Sequence, residues 1–143
     1  MIQVKIINTS NNPSPQYSTI GSAGLDLRSD IDIVIPGREK AVVTTGLYIE
    51  LPEGYEAQVR PRSGLAFNHG ITVLNTPGTI DCDYRGEIKV LLFNTEPTPF
   101  EIRKGDRICQ IVINKYEKVE LISVSELDNT DRGIGGIGHT GIK

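Results

Sequence analysis

No stretch of this chain keeps its apolar residues at helical spacing for three turns. Short apolar segments recur instead between turn residues: Ile2–Ile7, Ile31–Ile35, Lys40–Glu50, Glu56–Arg60, Ile71–Leu74, Ile88–Phe93, Arg107–Ile113 and Val119–Ser123. Pro36-Gly37, Pro52-Glu53-Gly54 and Lys104-Gly105-Asp106 punctuate them with chain breakers. Strands of this length and spacing pack as a sandwich or barrel, not as a parallel α/β sheet. The fold class expected is therefore all-β. One short helical turn is expected after Ser63, whose hydroxyl would cap the free amides of Gly64 to Phe67. A chain of 143 residues is expected to form one domain that buries about two-thirds of its unfolded surface. Residues 1–125 would make a β body. Residues 128–143 read differently, with glycines at 133, 135, 136, 138 and 141 and too few apolar side chains for a strand.

Composition narrows the partners. A net charge of −3 gives no overall attraction to nucleic acid or to an anionic membrane. Any polyanion must meet a local cluster, for which Arg62, Arg85, Arg107 and Arg132 are available. Two cysteines, Cys82 and Cys109, do not make a disulfide framework, and neither has the neighbours a structural zinc site needs. They read as buried or half-buried thiols. The first residues enter an alternating strand at once, and no apolar run approaches a membrane span. A soluble cytoplasmic protein is expected.

Chemistry concentrates in the run Gly78-Thr79-Ile80-Asp81-Cys82-Asp83-Tyr84-Arg85-Gly86. Two carboxylates, a phenol and a guanidinium stand at the mouth of the strand Ile88–Phe93, where loops held by a sheet carry function. A charged hairpin facing water would read the same in isolation. Gln110 is the polar break in the apolar run Ile108–Ile113, costly to bury unless paired. In the tail, glycines let backbone amides converge on an anion, with Arg132 at their head.

Four more segments join that run: Ala23-Gly24-Leu25-Asp26-Leu27, Pro61-Arg62-Ser63-Gly64-Leu65-Ala66, Gly105-Asp106-Arg107-Ile108-Cys109-Gln110, and the tail Arg132 to Gly141. In this order and spacing the five resemble the motifs of the trimeric deoxyuridine triphosphatase family, over about Ala23 to Gly141. The resemblance implies a distorted jelly-roll (β-clip) body, a flexible arm that closes over an active site, and a homotrimer whose sites draw on all three copies. It implies hydrolysis of dUTP to dUMP and pyrophosphate by water attack at the α phosphorus, with Mg²⁺ as cofactor. This activity limits uracil incorporation into DNA and supplies dUMP for thymidylate synthesis.

Roles follow residue by residue. Asp81 would orient and deprotonate the water, since a carboxylate is a ready base at neutral pH. Asp83 is expected to face away from the ligand and pair with Arg85 or a neighbouring copy. Arg62, Ser63 and Gly64 would hold phosphate oxygens through a charged fork, a hydroxyl and a backbone amide. Asn75, with the backbone of Thr79 and Ile80, would read the uracil edge, because a side-chain amide both donates and accepts. Tyr84 would stack beneath the deoxyribose and leave no volume for a 2′-hydroxyl. Lys89 is placed near base or sugar by position alone. Gln110 would orient phosphate or metal-bound water, and Arg132, Ile137 and Gly138 would belong to the lid. Mg²⁺ prefers oxygen ligands and keeps its waters while bridging phosphates. No direct protein cage is therefore expected, with Asp26 and Gln110 as outer-shell candidates. Asp26 serves equally well in this reading as an anchor for its own loop.

The tail departs from the family pattern in two places. Ile137 stands where an aromatic residue is usual, and it can cover a base but not stack on it. His139 replaces a more usual serine. Two other readings stay open here. A dCTP deaminase of the same fold would need a water-activating group at the pyrimidine C4 and a donor set matching cytosine, and ammonia release would reveal it. A non-enzymatic nucleotide-sensing or protein-binding module is kept open by the lid departures, against which the carboxylate and phosphate residues stand intact.

Overall fold

A computed structural model of the chain describes residues 1–137, 139 and 140. Eleven strands and one helix follow in order: β1 Lys5–Asn8, β2 Leu25–Arg28, β3 Ile33–Ile35, β4 Lys40–Thr44, β5 Leu47–Glu50, β6 Tyr55–Arg60, α1 Ser63–His69, β7 Ile71–Val73, β8 Gly78–Ile80, β9 Lys89–Asn94, β10 Phe100–Ile102 and β11 Arg107–Lys115. All pairings are antiparallel. They make a four-stranded sheet β2-β11-β6-β8, a three-stranded sheet β4-β9-β7, and the pairs β1-β5 and β10-β3. This is the all-β body expected from the segment pattern, of the kind the family resemblance implies.

Alternation decides which face goes inward. In β9, Val90, Leu92 and Asn94 are buried, and Lys89 and Leu91 face out. The core gathers Leu27, Ile35, Val43, Leu47, Ile71, Leu92, Ile102 and Ile108 from all four sheets, with Ile88 from the loop before β9. In β11 the pattern breaks: Ile108 and Cys109 are adjacent and both buried. A register shift against β2 between Arg107 and Cys109 accounts for it, because an extra residue turns the strand so that neighbours share a face.

Three expectations are corrected. The segment Lys40–Glu50 is two strands, because Gly46 takes a left-handed φ of 68° and redirects the chain from β9 to β1. Val119–Ser123 forms no strand in the single chain, where Val119, Leu121 and Ile122 stand exposed with no partner strand beside them. The helix is present, but Ser63 is its first residue and Arg62 its N-cap, with no side-chain capping bond. The Ser63 hydroxyl is thereby left for other work. Its C-cap is Gly70 at φ 61°, the left-handed geometry that lets a helix stop within one residue.

Candidate active site

The run from Gly78 to Gly86 is not a hairpin, because β8 pairs with β6 while β9 pairs with β4 and β7; it is a loop crossing between two sheets. It folds around a cavity of about 180 Å³ lined by Thr79, Ile80, Asp81, Tyr84, Glu87, Ile88 and Lys89. β8 pairs with β6 and fixes Thr79 and Ile80 opposite Gln58 and Ala57. The chain then leaves the sheet, and the Tyr84 amide donates to Asp81 O at 3.2 Å to close a turn. Asp81 is exposed at the rim. Tyr84 is anchored at its far end, its hydroxyl donating to Glu87 O at 3.0 Å. The opposite wall is tied to the β4–β5 turn: Thr45 Oγ1 donates to Ile88 O at 2.7 Å, and the Gly46 amide to Glu87 Oε1 at 2.9 Å. Glu87 and Ile88 were not singled out from sequence. Their place beside the tyrosine depends on this tertiary clamp.

The expected Asp83–Arg85 pairing does not form. Arg85 Nη1 donates to Cys82 O at 2.7 Å and Tyr84 O at 2.9 Å, so the guanidinium latches the backbone of the turn. Asn75 lies against Gly78, where an added Cβ would sit 3.1 Å from Asn75 Nδ2. It flanks the start of β8 and does not line the cavity with Asp81.

A second cluster forms across three adjacent strands. Register sets Asp26 on β2 opposite Gln110 on β11, and Gln110 opposite Arg60 on β6. Arg62, two residues beyond Arg60, donates from Nε to Asp26 Oδ1 at 3.1 Å, and Arg107 Nη1 reaches Asp26 Oδ2 at the same distance. Arg62 Nη1 also donates to Arg107 O. Asp26 thus holds two arginines from other elements, one on each oxygen, and sits within β2 without the turn that would anchor its own loop. Gln110 Nε2 donates to Pro61 O at 3.0 Å, the paired state that makes its burial tolerable. Its Oε1 faces Gly24, where any Cβ would overlap it. A side chain at position 24 would therefore dislodge the amide. Ser63 and Gly64 are exposed beside this cluster at the start of α1, where backbone amides lack partners within the helix.

These two groups do not meet within one chain. Asp81 follows Ile80, which pairs with Ala57, whereas Arg62 lies beyond the other end of β6. At about 3.3 Å per residue, the two are separated by on the order of 15–20 Å. In the tail, Arg132 Nε donates to Gly135 O at 2.8 Å, and Arg132 lines a cavity with Asp131, Gly136, His139 and Thr140. Ile137 is exposed, and Gly138 lies outside the described residues. No group of three or more His, Cys, Asp or Glu positioned to hold a metal exists among the described residues.

The cysteines divide as their burial dictates. Cys109 is fully buried, and loss of solvent pushes its thiol well above the ordinary value; Asp26 adds to the rise and Arg62 opposes it. Cys82 is half-buried, its sulfur 3.8 Å from the Tyr116 hydroxyl.

Comparison with known proteins gives this arrangement a family. The dUTPase family model matches residues 10–141, nearly the entire chain. The chain belongs to the dUTPase family. The deoxyuridine 5′-triphosphate nucleotidohydrolase of Finegoldia magna is 56% identical over 142 residues, covering 98% of this chain and 99% of that protein. The enzyme of the same name from Cytophaga hutchinsonii is 56% identical over 140 residues, covering 96% and 91%. Among solved structures, the dUTPase of Staphylococcus bacteriophage 80alpha with dUpNHpp superposes at a TM-score of 0.91 with 24% identity, covering 99% of this chain and all of that one. A dUTPase from phage phi11 of S. aureus, described with a structural Mg(II) ion, gives 0.82 at 22% identity, covering 90% of this chain and 100% of that one. Both likenesses speak to the fold. No helix among the described residues is long and apolar enough to cross a membrane.

Proposed function

We propose that this dUTPase-family protein hydrolyses dUTP to dUMP and pyrophosphate in the cytoplasm, as a homotrimer with composite active sites. The observation that carries the reading is the β8–β9 loop cavity, in which Asp81 and Tyr84 share one small enclosure with Thr79, Ile80 and Lys89. Asp81 at its rim takes the proton of a water aimed at the α phosphorus. Tyr84 lies flat under the sugar, and the backbone of Thr79 and Ile80 with Asn75 reads the uracil edge. Cytosine presents the reversed donor pattern and is refused.

The phosphates belong to the other cluster. Arg62, fixed by Asp26, presents its charged fork already oriented, so little conformational freedom is lost when an anion arrives. The free Ser63 hydroxyl serves the oxygen bridging the α and β phosphates, where leaving-group charge appears, and Gly64 offers its amide. Within one chain this cluster lies at the far end of β6 from Asp81. A second copy supplying Arg62, Ser63, Gly64 and Gln110 to the first copy's Asp81 loop resolves that separation. The tail favours the same assembly: Val119, Leu121, Ile122, Val124 and Leu127 are all exposed, more apolar surface than a short segment carries without a covering partner. Arg132, Ile137 and Gly138 then close from the arm.

Mg²⁺ fits the donor set as an ion carried by the triphosphate. Three-carboxylate cages are absent among the described residues, and with both Asp26 oxygens held by Arg62 and Arg107 the side-chain oxygen of Gln110 is the one that suits metal-bound water near the phosphate cluster. When bound, the ion neutralises charge on the phosphate oxygens.

Purified protein incubated with Mg²⁺ and each common dNTP and rNTP tests the reading. Turnover of dUTP alone, with pyrophosphate released and water-derived ¹⁸O recovered in dUMP, is expected. Strong turnover of dCTP or UTP with dUTP untouched, ammonia release from dCTP, or label in pyrophosphate would sink it.

A further inference from the structure

Gly86 lies in direct contact with the tyrosine assigned to the sugar. A Cβ built on Gly86 would fall 2.5 Å from Tyr84 Cζ and 2.9 Å from Cε2, and closer still to the hydroxyl. The ring therefore rests on the bare backbone of Gly86 with no room between them. Gly86 does not have a positive φ, so an alanine there costs no backbone strain and its effect falls on contacts. Three features confine that effect to the ring. Arg85 latches the turn backbone through Cys82 O and Tyr84 O. The wall beyond is held by Thr45 to Ile88 O, Gly46 to Glu87 Oε1, and the Ile88 amide donating to Leu47 O at 2.8 Å. Tyr84 itself is 45% exposed and free to swing, whereas backbone on either side is not. A methyl at position 86 would thus rotate the ring away and break its bond to Glu87 O.

The geometry points to Gly86 as a positioning residue for sugar selectivity: by admitting no side chain, it seats Tyr84 against the Glu87 carbonyl and so sets the floor that excludes a 2′-hydroxyl. The inference rests on the dUTP reading above, since it assigns selectivity to the same cavity. Nothing about the proton transfer at Asp81 requires Gly86, so turnover and selectivity are separable.

Gly86→Ala is assayed with dUTP and UTP side by side, with wild type and Tyr84→Phe as companions. Tyr84→Phe keeps the ring but removes its hydroxyl anchor. The dUTP-over-UTP ratio of kcat/KM is expected to narrow by roughly 10-fold or more in Gly86→Ala, the scale on which small pocket changes discriminate substrates, and by a smaller factor in Tyr84→Phe. UTP turnover should hold or rise. An equal fall for both nucleotides, or unchanged selectivity in a variant that melts like wild type, overturns the inference. Should Gly86→Ala fail to fold, unchanged selectivity in Tyr84→Phe overturns it as well. A wild-type protein that spares UTP while both variants also spare it contradicts this inference alone; a wild-type protein inert toward dUTP overturns the parent reading and this one with it.

Discussion

Cys109 and Cys82 carry the same side chain and differ in what can reach them. The first is sealed in the core between the β2 and β6 neighbours of its strand, and burial holds its proton on. Because the thiolate is the reactive form, a thiol whose titration is pushed up is inert at neutral pH and becomes reactive only as pH rises or the fold opens. A neutral thiol reagent should therefore modify one cysteine per chain in the native protein, Cys82, and two after denaturation. Mass spectrometry of the labelled protein checks this, and modification of native Cys109 would contradict the burial assigned to it. The two residues looked alike in sequence as thiols inside β segments. Only the shift in β11, which turns Cys109 inward beside Ile108, separates them. Asp26 carries a similar lesson: its residue type allowed a metal-water role or a loop anchor, and the two arginines on its oxygens lie 36 and 81 residues away in the chain.

At the scale of elements, Thr45 shows how the body supports the cavity. Its buried hydroxyl donates to Ile88 O and accepts from the Leu47 amide, joining the β4–β5 turn to the cavity wall. Thr45→Val keeps the shape and strands both backbone partners, at a cost of about 1–3 kcal/mol in unfolding free energy. Denaturant melts should show that loss, and KM for dUTP should rise because Ile88 lines the cavity. An unchanged melt would remove Thr45 from the account. Element type was legible from the sequence because alternating apolar residues and turn breakers are local signals. The polar run Gly78–Gly86 was legible for the same reason, its residues being contiguous, although it crosses between sheets instead of turning as a hairpin. Boundaries and pairings were less so. Lys40–Glu50 reads as one strand until Gly46 sends its halves to different sheets, and β2, β8 and β10, each only three or four residues long, are set by the strands they pair with. The Ser63 cap failed because the helix begins one residue earlier than a serine N-cap would require.

The whole molecule is larger than one chain in this account. Asp81 and Arg62 occupy opposite ends of β6, an apolar tail segment lacks cover, and Arg132 sits on an arm beyond the last strand. The residues themselves did not reveal these separations, because each motif is a short run and the runs lie far apart in the chain; only the family resemblance pointed to shared sites. Each separation is removed if the Asp81 loop, phosphate cluster and arm come from different copies. Asp81→Asn should bind a non-hydrolysable dUTP analogue yet lose turnover by roughly 100-fold or more, the scale of a general base. A chain ending at Asn129 should fold as well as wild type and lose turnover with its arginine and glycines. The most direct measurement is to unfold, mix and refold these two inactive proteins together and assay dUTP hydrolysis. The mixture should regain activity that neither protein has alone, because some assemblies then pair an intact Asp81 loop with an intact arm. Full activity of Asp81→Asn by itself, or a mixture as inactive as its parts, would contradict the shared, Asp81-centred site.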